Sequence, residues 1–177
     1  MKKSTLNARD MAYISLCAGL LSLSAWISIP AADIYFTMQT FALFFLLDLL
    51  GGKRTFLALA VYLGLGAAGL PVFAGFQSGL GTLLGVTGGY IWGFLLTALL
   101  WWLISPEGKL RIPTALLGLL LCYGCGTAWY FFAYTQRSLS GLLAVAGKCV
   151  VPYLIPDTIK LILSLRLARR LKPLVKL

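Results

Sequence analysis

Asp157 and Lys160 stand three positions apart in the apolar run Val150-Val-Pro-Tyr-Leu-Ile-Pro-Asp-Thr-Ile-Lys-Leu-Ile-Leu-Ser164. On a helix, that spacing puts both side chains on one face, where they neutralise each other and present an acceptor beside a donor. A charge held in apolar surroundings costs several kcal/mol, so such residues usually face a cavity or one another and mark a site. Tyr153 and Ser164 share the face. The chemistry this set offers is recognition of a small ligand carrying N–H and C=O groups. The alternative is an ion pair that only fixes helix packing, although such pairs rarely stabilise more than apolar residues would.

Other reactive combinations are poorly supplied. The chain has no histidine and five acidic residues, too little for an acid–base pair or a metal cluster. Cys122-Tyr-Gly-Cys125 is a C-x-x-C, but it lies within an apolar segment rather than at an exposed helix start, and no further close ligands would complete a zinc site. Gly51-Gly-Lys-Arg-Thr55 lacks the spacing of a phosphate-binding loop. We therefore expect no catalytic residues, no metal and no cofactor.

The elements that must position Asp157 and Lys160 follow from composition. Of the 177 residues, 60% are apolar, and the mean hydropathy is +0.91. These values exclude an ordinary soluble domain. Long runs without period-2 alternation predict helices rather than a barrel. The expected fold is an all-α membrane protein, residues 1–177 forming one integral-membrane substrate-binding domain. Its six spans are expected at about 11–30, 34–51, 55–71, 88–105, 112–134 and 150–171.

The net charge of +10 reads as topology rather than nucleic-acid binding. Lys2, Lys3, Arg9, Lys53, Arg54, Lys109, Arg111, Arg166, Arg169, Arg170, Lys172 and Lys176 fall on one side of these spans, against Arg137 and Lys148 on the other. By the positive-inside rule the crowded side is cytoplasmic, which places both termini there, beside anionic lipid. The apolar part of residues 1–32 is too long for a signal peptide, so an uncleaved first helix is expected.

Several segments carry further signals. Ala8, Ala12, Ser15, Gly19 and Ser22 form a small-residue stripe on the first helix. It suits either internal packing or docking of another membrane subunit. Asp48 is expected to pair with the basic loop at Lys53 and Arg54. Gln39 and Thr37 are expected near the outer end of the second span, and Gln39 can both donate and accept. The glycine-rich stretch from Gly69 to Tyr90 predicts a re-entrant cap over an outward-facing pocket. Gly81, Gly85, Gly89 and Gly93 within it suit a helix-packing seam as well. Tyr123, Thr127, Tyr130 and Tyr134 read more readily as packing or interface-belt residues than as a site. Pro152 and Pro156 suggest that the last helix begins near Pro156, with Asp157 beside its positive end.

Taken together, Phe36-Thr-Met-Gln-Thr-Phe41, Gly69-Leu-Pro-Val-Phe-Ala-Gly75, Thr87-Gly-Gly-Tyr90 with Gly93-Phe94, and Pro156-Asp-Thr-Ile-Lys160 resemble the BioY family over most of the chain. Members of that family are the biotin-binding S components of energy-coupling factor (ECF) transporters. The resemblance implies a subunit of the prokaryotic cytoplasmic membrane that captures biotin outside. It would work with a transmembrane coupling subunit and two cytoplasmic ATPases. Asp157 would accept from a ureido N–H, Lys160 would donate to the ureido oxygen, and Gln39 and Tyr90 would add hydrogen bonds. Thr37 and Tyr153 would stand nearby. Phe73, Gly75, Thr87, Gly88 and Gly89 would help cover the apolar ring. Ala8, Ala12, Ser15 and Gly19 would meet the coupling subunit. Phe76-Gln77 and Val86 depart from the family pattern, where small residues and proline are usual. An S component for another vitamin or a biotin precursor, an intramembrane enzyme and a structural membrane partner stay open as alternatives.

Overall fold

The computed structural model describes residues 7–31, 34–135 and 138–174; Lys2, Lys3, Arg137 and Lys176 lie outside them. Helices dominate: α1 (Ala8–Trp26), α2 (Gln39–Leu50), α3 (Gly52–Ala67), α4 (Leu80–Leu84), α5 (Gly88–Ile104), α6 (Arg111–Tyr134), α7 (Leu139–Cys149) and α8 (Val151–Leu171). A hairpin of β1 (Ser28–Ala31) and β2 (Ile34–Thr37) separates α1 from α2. The fold is thus mostly helical rather than purely so. Residues 28–31 and 34–37 pair as strands instead of extending the two helices, and Pro30, which lacks an N–H, is tolerated because a two-stranded ribbon is all edge.

The helix starts have local causes. Asn7 caps α1 through a reciprocal box with Asp10, in which each side chain accepts from the other's backbone N–H. Gly51 adopts φ +84° between α2 and α3, a left-handed turn that glycine makes without steric cost. The last helix begins at Val151 with Pro152 in its first turn, and Pro156 lies inside it. Asp157 therefore sits about two turns in, away from the positive helix end. The second proline gives up one ladder bond without ending the helix.

The stretches Gly108–Tyr134 and Ser140–Leu171 are long and apolar enough to cross a membrane, while Gln39–Leu50 and Gly88–Ile104 are apolar but shorter. Large apolar side chains face outward on most helices, among them Leu16, Leu103, Leu120 and Ile155. So much exposed apolar surface marks a molecule whose neighbours are not water.

The most extensive packing is α5 against α6, followed by α2 against α8. Glycines allow the first. Gly89 lies against the Trp129 side chain and the Cys125 carbonyl, Gly93 against Cys122, and Gly126 against the Tyr90 ring. The seam stops there: Gly81 faces open space and Gly85 sits in a bend after α4.

At the end of the molecule that carries most of the charge, Arg54 Nε meets Asp10 at 2.8 Å. Asp48, 2% exposed at its side chain, meets Arg111 Nε at 3.3 Å. The expected pairing of Asp48 with Arg54 is corrected accordingly: the start of α6 reaches Asp48, and Asp10 takes Arg54.

Candidate functional site

The ion pair lies on the inner face of α8, where Tyr153, Asp157, Lys160 and Ser164 are all buried. The Asp157 and Lys160 side chains keep only 7% and 8% of their exposure, and Lys160 Nζ donates to Asp157 Oδ1 at 2.8 Å. Tyr123 of α6 donates to the other carboxylate oxygen, Oδ2, at 2.8 Å. Lys160 also donates to the Thr37 carbonyl at 2.8 Å, and its ammonium sits 3.6 Å from the Phe36 ring centroid. Both charges are thereby compensated, as buried charges must be. A carboxylate offers about four lone-pair sites, of which two are used, so Asp157 can still accept from a ligand N–H. Lys160 is engaged on three sides. A ligand carbonyl that reached it would replace the Thr37 carbonyl or the aromatic face.

Strand β2 and the start of α2 supply the opposite wall. Tyr153 donates to the Ile34 carbonyl at 3.2 Å and stacks on Phe36. Gln39, 5% exposed, donates from Nε2 to Tyr62 Oη at 2.8 Å, and Thr37 Oγ1 reaches Gln39 Oε1 at 3.4 Å. Tyr90 extends from α5 to the Cys149 carbonyl at 3.5 Å.

These groups enclose a cavity of about 80 Å³, lined by Thr37, Gln39, Phe73, Thr87, Tyr90, Tyr123, Tyr153, Asp157 and Lys160 together with apolar residues such as Ile34, Ile91, Phe94 and Leu119. An apolar hollow with a few convergent polar groups suits binding of a small molecule. Eight of the residues singled out from sequence line it: Asp157, Lys160, Gln39, Thr37, Tyr90, Phe73, Thr87 and Tyr153.

The segment 68–87 covers the cavity from above through Phe73, Ala74, Gln77, Thr82 and Thr87. Trp26 Nε1 holds one end by donating to the Pro71 carbonyl at 2.8 Å, and its ring stacks on Phe76. The carbonyls of Leu83, Leu84 and Gly85 accept from Trp92, Tyr134 and Trp129 at 3.2, 2.6 and 3.1 Å. The Leu83 and Leu84 carbonyls are ones that the end of α4 leaves without helical partners, and the Gly85 carbonyl also accepts from the Gly88 N–H at 3.0 Å.

Other residues expected at the site stand apart from the cavity. Gly75, at φ +65°, turns the cap, lies close to the Tyr35 hydroxyl and bonds through its N–H to Ser28 Oγ. Gly88 and Gly89 open α5 and serve close packing against Leu83 and Trp129. Of the unusual residues of the cap, Gln77 lines the cavity, whereas Phe76 and Val86 do not. Phe76 is exposed against Trp26, and Val86 lines a separate outer hollow. Ala8, Ala12, Ser15 and Gly19 are exposed on α1, and a Cβ on Gly19 would meet nothing within 4 Å, so among the described residues nothing packs over this stripe; Ser22 alone of the five turns inward.

Tyr123 and Phe36 are the contacts that sequence reasoning missed. Tyr123 reads as an ordinary membrane aromatic, and the only clue is a hydroxyl amid the apolar face of α6. Phe36 lies within Phe36-Thr-Met-Gln-Thr-Phe41, but its ring acts through a hairpin that no sequence pattern announces. Cys122 lines the cavity as a buried free thiol, and Cys125 is also unpaired with another cysteine.

Comparison with known proteins gives the following. The BioY family profile matches residues 1–177. The chain is 34% identical over 169 residues to the probable biotin transporter BioY of Pyrococcus horikoshii, covering 94% of this chain and 98% of that protein. The biotin transporter BioY of Thermotoga maritima is also 34% identical over 169 residues, with 94% and 97% covered. In fold, the chain superposes on the crystal structure of the S-component for biotin from an ECF-type ABC transporter. That match has a TM-score of 0.81 and 22% identity, over 96% of this chain and 95% of that one.

Proposed function

The chain belongs to the BioY family, and from that premise we propose that it is the substrate-capturing subunit of a biotin uptake transporter. The observation that carries this reading is the buried Asp157–Lys160 pair facing the cavity, with both carboxylate oxygens and the ammonium held in place. Biotin's ureido ring has two N–H donors and one carbonyl. Asp157 accepts from one N–H, and Lys160 turns from the Thr37 carbonyl to the ureido oxygen. Gln39, Tyr90, Thr37 and Tyr153 supply polar contacts around the ring, while Phe73 and Thr87 cover it. Gly75, Gly88 and Gly89 shape the cap and its junction with α5. The ligand is moved unchanged, without a cofactor, as befits relatives that are transporters rather than enzymes.

In this reading the chain is one membrane domain of the prokaryotic cytoplasmic membrane, crossing it six times through α1, α2, α3, α5, α6 and α8. Both termini are cytoplasmic, at the end where Asp10, Arg54, Asp48 and Arg111 cluster. The exposed small-residue face of α1 docks the transmembrane coupling subunit, and two cytoplasmic ATPases drive the cycle. Calorimetric titration of the purified chain with biotin, desthiobiotin, thiamin and riboflavin tests the assignment. Saturable biotin binding that Asp157→Asn weakens supports it. Preference for another vitamin would replace biotin as the ligand.

A further inference from the structure

The deep cavity is bounded toward the cap by Tyr35, Gln77, Thr82 and Thr87, and the same four residues line a second hollow of about 310 Å³ beside α4. No charged residue lines that second hollow among the described residues. We propose that it is a further ligand subsite, which takes the tail of a ligand whose ring is seated at Asp157 and Lys160, and that it accepts uncharged tails. The substrate class then includes biotin carrying an ester or amide in place of its free acid. This inference rests on the function proposed above.

Space is the first argument. Small-molecule sites commonly measure roughly 300–1,000 Å³. At about 80 Å³ the deep cavity has room for part of a ligand, so a chain leaving the ring must continue past the shared wall.

Hydrogen bonding is the second argument. Thr82 Oγ1 is committed to the Ser78 carbonyl at 3.0 Å. The Tyr35 hydroxyl, the Gln77 carboxamide and the Thr87 hydroxyl make no hydrogen bond to the rest of the described chain. They are neutral groups that can donate to an ester or amide carbonyl as well as to a carboxylate, and Gln77 can also accept from an amide N–H.

Charge is the third. A site that reads a carboxylate by its charge aims a cation or several N–H groups at it. Lys160 is the cation of the deep cavity, and it is already matched by Asp157. Capping the acid thus exchanges a charge-assisted hydrogen bond for a neutral one, a loss of about tenfold.

The test uses the full chain in lipid nanodiscs, titrated with biotin, its methyl ester and its amide with benzylamine. The ester and the amide are expected to bind within about tenfold of biotin. Gly81→Phe supplies the second arm. Gly81 lines the outer hollow, and a Cβ there meets nothing within 4 Å, so the variant folds with its ring in that space. It should weaken the bulky amide by about thirtyfold or more and biotin by less than about fivefold. Capped ligands weaker than biotin by a hundredfold, or an amide-to-biotin ratio unchanged in Gly81→Phe, overturns the subsite while leaving the transporter reading intact. Failure of biotin itself to bind folded wild-type protein overturns both.

Discussion

Replacing Asp157 with Asn keeps the shape of the side chain and removes its charge. The two partners respond differently. Lys160, 2.8 Å from Oδ1, can only donate, so the amide oxygen must face it. The new NH2 then faces the Tyr123 hydroxyl, which must turn its proton elsewhere and accept instead. The lysine keeps the Thr37 carbonyl and the Phe36 ring but loses its counter-charge. Removing one member of a buried pair costs about 3–5 kcal/mol. The retained oxygen, carbonyl and aromatic face reduce this, and we expect a loss near 2–3 kcal/mol in stability. The ureido N–H meets a neutral acceptor in place of a carboxylate, which weakens biotin by about 1.5–2 kcal/mol, or roughly 10–30-fold.

Lys160→Met should behave similarly, whereas Asp157→Asn with Lys160→Met removes both charges together. Stability in the double variant should recover most of the loss, because a buried pair can be exchanged for uncharged groups at little cost. Binding should stay lost. Thermal unfolding in detergent and biotin titration of the four proteins separate the two effects. Wild-type affinity in the stable double variant would show that the pair only packs the helix, and the reasoning would fail.

Tyr123→Phe deletes the donor to Asp157 Oδ2 and leaves that buried oxygen short of a partner, which should cost about 1–3 kcal/mol in thermal stability and weaken biotin measurably. Gly126→Val drives a side chain into the Tyr90 ring at the α5–α6 contact; we expect a destabilisation of about 1–3 kcal/mol and impaired binding, both readable in the same titration. The Arg54 guanidinium, followed by the Asn7 backbone N–H, holds the Asp10 carboxyl below its ordinary value of 3.8. Its folded-state value is therefore the lower one, so the stabilisation is full above the unfolded value and disappears as pH falls through the folded one. The advantage of wild type over Asp10→Asn in unfolding temperature should accordingly be present at neutral pH and vanish in strong acid. A constant difference across that range would contradict the pairing.

Much of this architecture was legible because long apolar runs have few other ways to satisfy their backbone. The expected spans near 88–105 and 112–134 match α5 and α6 within a residue or so. Asp157 and Lys160 stood out because charge is rare in such a run. The hairpin was hidden: strands of four residues containing Pro30 show no clear alternation, and their pairing depends on Trp26, Ser28 and Tyr35 meeting the cap. Helix α7 lies in a stretch with no sharp compositional signature. The start of α8 is hidden because Pro156 reads as a helix beginner, although tertiary packing carries the helix through it. The sequence offers Asp48 only its near basic neighbours as evident partners, whereas Arg111 reaches it from another helix. Tyr123 completes the site from 34 positions away, and Thr37 from 123, distances over which local spacing carries no information.

The most direct measurement is a crystal structure of this chain with biotin bound. The account predicts the ureido ring in the cavity between α2, α6 and α8, one N–H within hydrogen-bond distance of the Asp157 carboxylate and the ureido oxygen facing Lys160 Nζ. Biotin bound elsewhere, with the bridge among Lys160, Asp157 and Tyr123 untouched and no contact to either charge, would contradict it.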